Sequence, residues 1–273
     1  MPRPSDKTTV GHEGPALGLP EPPKDTWSEL DSVERPPVSA DQQIGRFRIV
    51  RKLGAGGMGV VFEAVDPERG ARVALKTLRS VEPRAAQRFK NEFRSLADLS
   101  HPNVIELYEL FATDDRLFFS MQLVHGVDLL HWVHAPGSHT VWSTDGGDSP
   151  PIPDYGRLGE ALRQVVLGVD AIHQHGKLHR DLKPANVLVR EDGTVVVLDF
   201  GLVRDAGNDG DGLTVSGTIL GTPAFMSPEQ ADGKSLTPAS DWYAVGVMLY
   251  LALTGRLPHH DMETGVVCWK PRI

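Results

Sequence analysis

The amino-acid sequence predicts an α+β fold, with a sheet-rich first part and a helix-rich second part. Two textures in the chain say so. From Gly45 onward, short runs dense in Val, Ile and Phe (FRIVRKL, VVFEAV, RVALKTL) are separated by Gly, Pro or Asp, the pattern of an antiparallel sheet. Past Pro153 the apolar residues recur at helical intervals, as on a helix with one buried face. Of the 273 residues, 40% are hydrophobic and 23% charged, so the chain can bury a core and reads as one globular unit with a tail.

The tail is residues 1–43. It is rich in Pro, Glu, Asp, Ser and Lys and has no sustained apolar period, so it cannot offset the entropy of ordering and a disordered Pro-rich linker is expected. Its P-x-x-P at Pro20 to Pro23 has the form that docks aromatic grooves, but a solvated linker is the expected reading. After the strand-like runs, Phe89, Phe93 and Leu96 lie on one face of a helix between Arg88 and Leu99, and Leu117 to Val124 (LFFSMQLV) reads as a buried strand. Pro136 to Pro153, heavy in Gly, Ser, Asp and Pro, reads as a surface loop or insertion. Beyond it, Leu158, Leu162, Val165, Val169 and Ile172 form the stripe of a long helix, and Thr194 to Leu198 makes a short buried strand. Ala244 to Leu253 (AVGVMLYLAL) is about half the length of a membrane span and is expected to be a buried helix.

Bulk properties narrow the function. A net charge of −8 with no block of Lys or Arg argues against a nucleic-acid-binding surface. The N-terminal MPRPSDKTTV has no apolar h-region, against a secretory signal, and the single cysteine, Cys268, fits a reducing, cytoplasmic setting without disulfides. The pairs His131/His134, His173/His175 and His259/His260 are joined by no Cys or carboxylate at ligand spacing, so surface or packing roles are expected in preference to zinc.

The chemistry begins at Leu53 to Asp66, LGAGGMGVVFEAVD, where Gly54, Gly56 and Gly59 stand as G-x-G-x-x-G. Glycines let backbone N–H groups approach phosphate oxygens, but the pattern alone does not say whose phosphate. A dinucleotide site needs a helix after the third glycine and an acidic residue about twenty positions on. Here β-branched Val60-Val61 follow and the later residue is a lysine, in Val73-Ala74-Leu75-Lys76, so a glycine hairpin lies over a strand carrying V-A-x-K. With that, the chain resembles the protein kinase family. Further on, His179-Arg180-Asp181-Leu182-Lys183-Pro184-Ala185-Asn186 matches the family's catalytic loop, and Asp199-Phe200-Gly201 its magnesium-binding motif. Lys183, Gly221-Thr222-Pro223 and Ser227-Pro228-Glu229 resemble the serine/threonine branch, and the wording GTPAFMSPEQ its bacterial eukaryotic-like members.

The resemblance implies a bilobal kinase fold, with an N-lobe at 44–124 and a C-lobe at 125–273 that carries a surface insertion near 135–153. It implies ATP and Mg²⁺ as cofactors and proteins with Ser/Thr acceptors as substrates. Asp181 would orient the substrate hydroxyl and accept its proton, Lys183 would neutralise the transferring group, and Asn186 and Asp199 would hold the metal. Leu53, Val61 and Ala74 would roof the adenine pocket and Leu188 floor it, with Met121 at the back and Gln122 to Leu123 giving backbone hydrogen bonds. Leu96, Leu107, His179 and Phe200 would form an internal column. Glu92 has two readings, an edge glutamate or, as the resemblance favours, the partner of Lys76. Thr214, Ser216 and Thr218, in the polar segment Leu202 to Leu220, are the expected autophosphorylation positions, with Arg180 as a receptor for phosphate. The family continues past the helix of Asp241 into further helices, one supplying an arginine to the glutamate equivalent to Glu229. The stop at Ile273 therefore gives the expectation of a truncated C-lobe, a bare helix at Trp242 to Leu253 and self-association. The alternative function is a catalytically weak ATP-binding scaffold or pseudokinase.

Overall fold

The computed structural model describes residues 43–56, 59–78, 83–112, 117–134, 152–199 and 223–258. The tail up to residue 42, nearly all of the expected insertion, Phe200, and the segment with Thr214, Ser216 and Thr218 lie outside them.

The first part is a six-stranded sheet made from β1 (Gln43–Ile44), β2 (Phe47–Gly56), β3 (Gly59–Asp66), β4 (Ala71–Leu78), β5 (Leu107–Ala112) and β6 (Leu117–Gln122), with one helix, α1 (Pro83–Ala97). The spatial order is β1-β2-β3-β4-β6-β5, and every neighbouring pair is antiparallel, as the punctuated Val-rich runs predict. β5, which no sequence signal marks, is an edge strand whose residues are mostly half-buried. β6 stops at Gln122, short of the expected Val124, as the chain leaves the sheet for the second part.

Period-two alternation sends the two faces of this sheet to different cores. Phe47, Ile49, Phe62, Ala64, Val73, Leu75 and Phe118 pack together on one face. Ala74, Leu78, Phe119 and Met121 belong to the main core with Phe89, Phe93 and Leu96 of α1. Ring centroids of Phe119 lie 5.9 Å from Phe89 and 5.6 Å from Phe93, contacts that add about 0.5–1.5 kcal/mol each to the burial itself. Because Ala74 belongs to the main core, Lys76 two residues on lies on that same face of β4.

The second part opens with β7 (Val127–Asp128) and α2 (Leu129–Val133), followed by the long helix α3 (Tyr155–Gln174). Asp154 caps α3 by accepting from Arg157 N at 3.0 Å. Of the predicted stripe, Leu158, Val165, Val169 and Ile172 are buried and Leu162 is half-buried. Gly168 in that stripe is a close approach: a Cβ there would stand 2.6 Å from Asn103 O. β8 (Val187–Val189) and β9 (Val195–Val197) complete a small sheet with β7, and α4 (Pro228–Ala231) and α5 (Pro238–Thr254) follow. Gly255, at φ 68°, closes α5 with its N–H on Leu251 O. The expected bareness of α5 is narrowed. Ala244, Val245, Val247, Met248, Leu251 and Ala252 are buried, Trp242 and Leu249 pack partly against the core, and Tyr250 and Leu253 are exposed.

Candidate active site

The glycine hairpin belongs to a row of residues aligned by strand register. Gly54 pairs with Val61, Val61 with Lys76, and Lys76 with Phe119, across four adjacent strands. Gly56 pairs with Gly59 to close the hairpin. Gly59 must be glycine: its φ is 147°, and a Cβ there would stand 1.8 Å from Thr77 O. Gly54 differs, since its Cβ would meet nothing within 4 Å. Beside this row Ala74 is buried and pairs with Met121, while Leu53 is exposed and Val61, Leu123 and Leu188 are half-buried. The expected Gln122 contribution is restricted. Its N–H donates to Glu106 O at 2.9 Å, so the carbonyl, not the amide, is what Gln122 has to offer a base.

Lys76 is buried, and its ammonium donates to Asp199 Oδ1 at 2.6 Å. A buried ammonium needs an anionic partner, and one arrives from 123 residues along the chain. Glu92 lies in α1, but its side chain is outside the described residues, so the Lys76–Glu92 pairing has no geometry here. The partner the structure does give Lys76 is a carboxylate that sequence reasoning assigned to a metal.

Asp181 stands at the centre of the second cluster. Lys183 Nζ donates to its Oδ2 at 2.9 Å. Asn186 Nδ2 donates to the same oxygen at 3.1 Å and to the Asp181 carbonyl at 2.7 Å. Both neighbours of that amide nitrogen are acceptors, which fixes the amide's orientation and leaves its oxygen as the lone-pair end.

The loop beneath is held in an unfavourable conformation. Among the described residues only Arg180 (φ 64°) and Asp199 (φ 52°) are non-glycine residues with positive φ. Each costs about 1–2 kcal/mol and persists only where its surroundings over-determine it. For Arg180 the determinant is buried Asp241 of α5. Its Oδ1 accepts from Arg180 N at 2.8 Å, and its Oδ2 accepts from His179 N at 2.7 Å and His173 Nε2 at 2.8 Å. His179 is buried, with Nε2 donating to Leu198 O at 2.7 Å and Nδ1 accepting from Asp181 N at 3.3 Å. One ring nitrogen gives and the other takes, as in a neutral imidazole, and burial pushes the ring's pKa down accordingly. Leu96 and Leu107, expected to share a column with His179, are buried.

Sequence reasoning missed three participants. His173, counted among the packing histidines, touches Asp241, whereas its neighbour His175 bonds Ala171 O. Ser240 donates to Glu229 Oε1 at 2.5 Å, and this bond, with lesser help from Ser227, holds the Glu229 carboxyl below its ordinary range. Glu229, expected to lack the arginine partner of the family pattern, thus meets a serine. Gln230 Nε2 donates to Arg180 O at 2.8 Å. No local signal marks any of the three, because each partner comes from a different segment. Among the described residues no group of three or more His, Cys, Asp or Glu is arranged to hold a metal ion.

The family model described as protein kinase domain matches residues 47–268. The serine/threonine-protein kinase Pkn1 of Myxococcus xanthus is 38% identical over 224 residues, covering 80% of this chain and 30% of that protein. PrkC of Bacillus subtilis, another serine/threonine-protein kinase, is 34% identical over 225 residues, 81% of this chain and 32% of that one. The chain therefore spans about a third of the length of these curated relatives. Among solved structures, the kinase domain of PknI from Mycobacterium tuberculosis superposes with a TM-score of 0.59 at 25% identity, over 81% of this chain and 79% of that one.

Proposed function

The chain belongs to the protein kinase family, on its bacterial eukaryotic-like serine/threonine branch, and from that premise we propose that it transfers the γ-phosphoryl group of ATP to Ser/Thr hydroxyls of proteins. The observation that carries the reading is the cluster of Asp181, Lys183 and Asn186 on a loop pinned by Asp241. We assign residues 44–124 to the N-lobe and 125–273 to the C-lobe.

In the proposed reaction the Asp181 carboxylate orients the acceptor hydroxyl and takes its proton as the hydroxyl oxygen bonds to the γ-phosphorus. The bond from that phosphorus to the bridging oxygen of ADP breaks in the same displacement. Lys183, already on Asp181 Oδ2, supplies positive charge beside the transferring group. Lys76 is the register partner of Val61 on the glycine hairpin, its ammonium suits the α- and β-phosphates, and Asp199 keeps it from being buried alone. The roof residues Leu53, Val61 and Ala74 and the floor residue Leu188 give an apolar slot for the base. The donor set also fits Mg²⁺, an oxygen-seeking ion: Asn186 has its amide oxygen left over, and Asp199 has a second carboxylate oxygen beyond the one on Lys76. When bound, Mg²⁺ would neutralise charge on the ATP phosphates.

The test is transfer of radiolabel from ATP by the purified chain to itself and to a generic basic protein. Asp181→Asn is expected to lower turnover by several orders of magnitude with nucleotide affinity nearly unchanged, because Asp181 acts on the hydroxyl. Equal transfer by the two forms would refute the role. A parent chain that binds nucleotide but transfers no label would favour the scaffold reading. Autophosphorylation is proposed at Thr214, Ser216 or Thr218, where a phosphate of up to about two negative charges would suit a guanidinium. Mass spectrometry of active protein finding none of the three modified would refute it. No described helix is long and apolar enough to cross a membrane, and a cytoplasmic setting is part of the proposal.

A further inference from the structure

Arg180, the strained residue before Asp181, is gripped at both ends. Its N–H is held by Asp241 Oδ1, and its carbonyl accepts from Gln230 Nε2, each at 2.8 Å. The carbonyl carbon and oxygen of Arg180 and the N–H of Asp181 lie in one rigid peptide plane, so whatever fixes that carbonyl also fixes the plane from which Asp181 departs. Gln230 is itself well fixed. Its N–H donates to Ser227 Oγ at 3.3 Å, and Ser227 is fully buried. Arg180 lies in the left-handed region, where an L-residue rests only under constraint. The same plane is also held through Asp181 N, which donates to His179 Nδ1 at the longer distance of 3.3 Å. With the carbonyl end released, the Arg180–Asp181 peptide loses the shorter of these two ties and is less resisted in turning back toward the favoured right-handed region, which would carry the carboxylate away from Lys183 and Asn186.

We propose that Gln230 is a positioning residue for phosphoryl transfer: its side-chain amide holds the Arg180 carbonyl and thereby sets the direction of Asp181. The proposal rests on the kinase reading above and adds to it a residue outside the catalytic loop. It also ties the segment around Ser227-Pro228-Glu229 to the catalytic loop by a direct bond, so that displacement of α4 reaches Asp181 through Arg180 without passing through the nucleotide.

The test uses Gln230→Met, similar in size but without the donor, and Gln230→Glu, which sets an acceptor against an acceptor. Gln230→Met is expected to lower kcat about tenfold, the scale of one lost hydrogen bond expressed at the reacting group, with KM for ATP within about twofold of the parent. Gln230→Glu should lower it further. Combined with Asp181→Asn, the Gln230→Met factor should disappear, because it acts through Asp181, whereas a general loss of fold would persist. Hydrogen exchange of the peptide spanning 179–182 gives a readout independent of turnover and is expected to quicken about tenfold in Gln230→Met. Unchanged kcat, a tenfold effect that survives in the Asp181→Asn background, or unchanged exchange would each overturn the proposal. A parent chain with no Asp181-dependent transfer would instead refute the kinase reading, and the exchange measurement would still decide the role of Gln230.

Discussion

Substituting Asp241→Asn isolates the anchor of the catalytic loop with almost no change in shape. The carboxylate accepts three bonds, two on Oδ2 and one on Oδ1. An amide retains only one acceptor oxygen, and the better placement keeps the oxygen that receives two donors, His179 N and His173 Nε2. The NH₂ then faces Arg180 N, donor against donor. Leaving that N–H unsatisfied costs about 1–3 kcal/mol, and reducing two charge-assisted bonds to neutral ones costs about 1 kcal/mol each, giving about 3–5 kcal/mol in all. In a folded unit of this size that corresponds to a fall of about 6–20 °C in Tm. The local consequence is larger, because the strained Arg180 loses the grip on its N–H next to Asp181. Thermal unfolding by circular dichroism gives the global term, and radiolabel transfer at a temperature where both forms are folded gives the local one. Turnover is expected to drop more than tenfold while nucleotide affinity is kept. An Asp241→Asn protein melting within about 2 °C of the parent, with parental turnover, would show that Asp241 does not hold the loop and that the hydrogen-bond reasoning is wrong.

Two further outcomes follow from the first sheet. Gly59→Ala places a Cβ 1.8 Å from Thr77 O at a backbone angle that alanine avoids, so it should lower Tm by several degrees and weaken ATP binding about tenfold or more. Gly54→Ala meets nothing within 4 Å and should leave Tm unchanged, and a nucleotide titration and melt that found the two variants alike would refute the distinction. Glu63 is buried, and its carboxyl is held below the ordinary range of 4.5 by hydrogen bonds from Arg72 and then Arg51, against the opposing effect of burial. A depressed folded pKa makes its stabilisation complete above about 4.5, the unfolded value, and lost as pH falls below that toward the folded pKa. Glu63→Gln should therefore lower stability at neutral pH and flatten the acid side of the stability–pH curve, as denaturant titrations between pH 3 and 7 would show; a variant as pH-dependent as the parent would refute it.

What the sequence by itself determined is what proximity along the chain can encode. Gly54, Gly56 and Gly59 reveal a hairpin because glycine's conformational freedom is a property of single residues, and Phe89, Phe93 and Leu96 reveal a helix face because helical periodicity is local. Asp181, Lys183 and Asn186 could be read together because six residues contain them all, and in the fold they do meet. The strand β5 escaped, being an edge strand without a clean alternation of buried and exposed residues. The bonds that give the site its geometry lie at longer range: Gln230 to Arg180 spans 50 residues, Asp241 to His173 spans 68, and Lys76 to Asp199 spans 123. A glutamine, a histidine or a serine in isolation looks the same whether it faces water or a strained carbonyl. Only when α4 and α5 are packed under the catalytic loop does burial remove the competing water, and it is then that these polar groups must choose one another as partners.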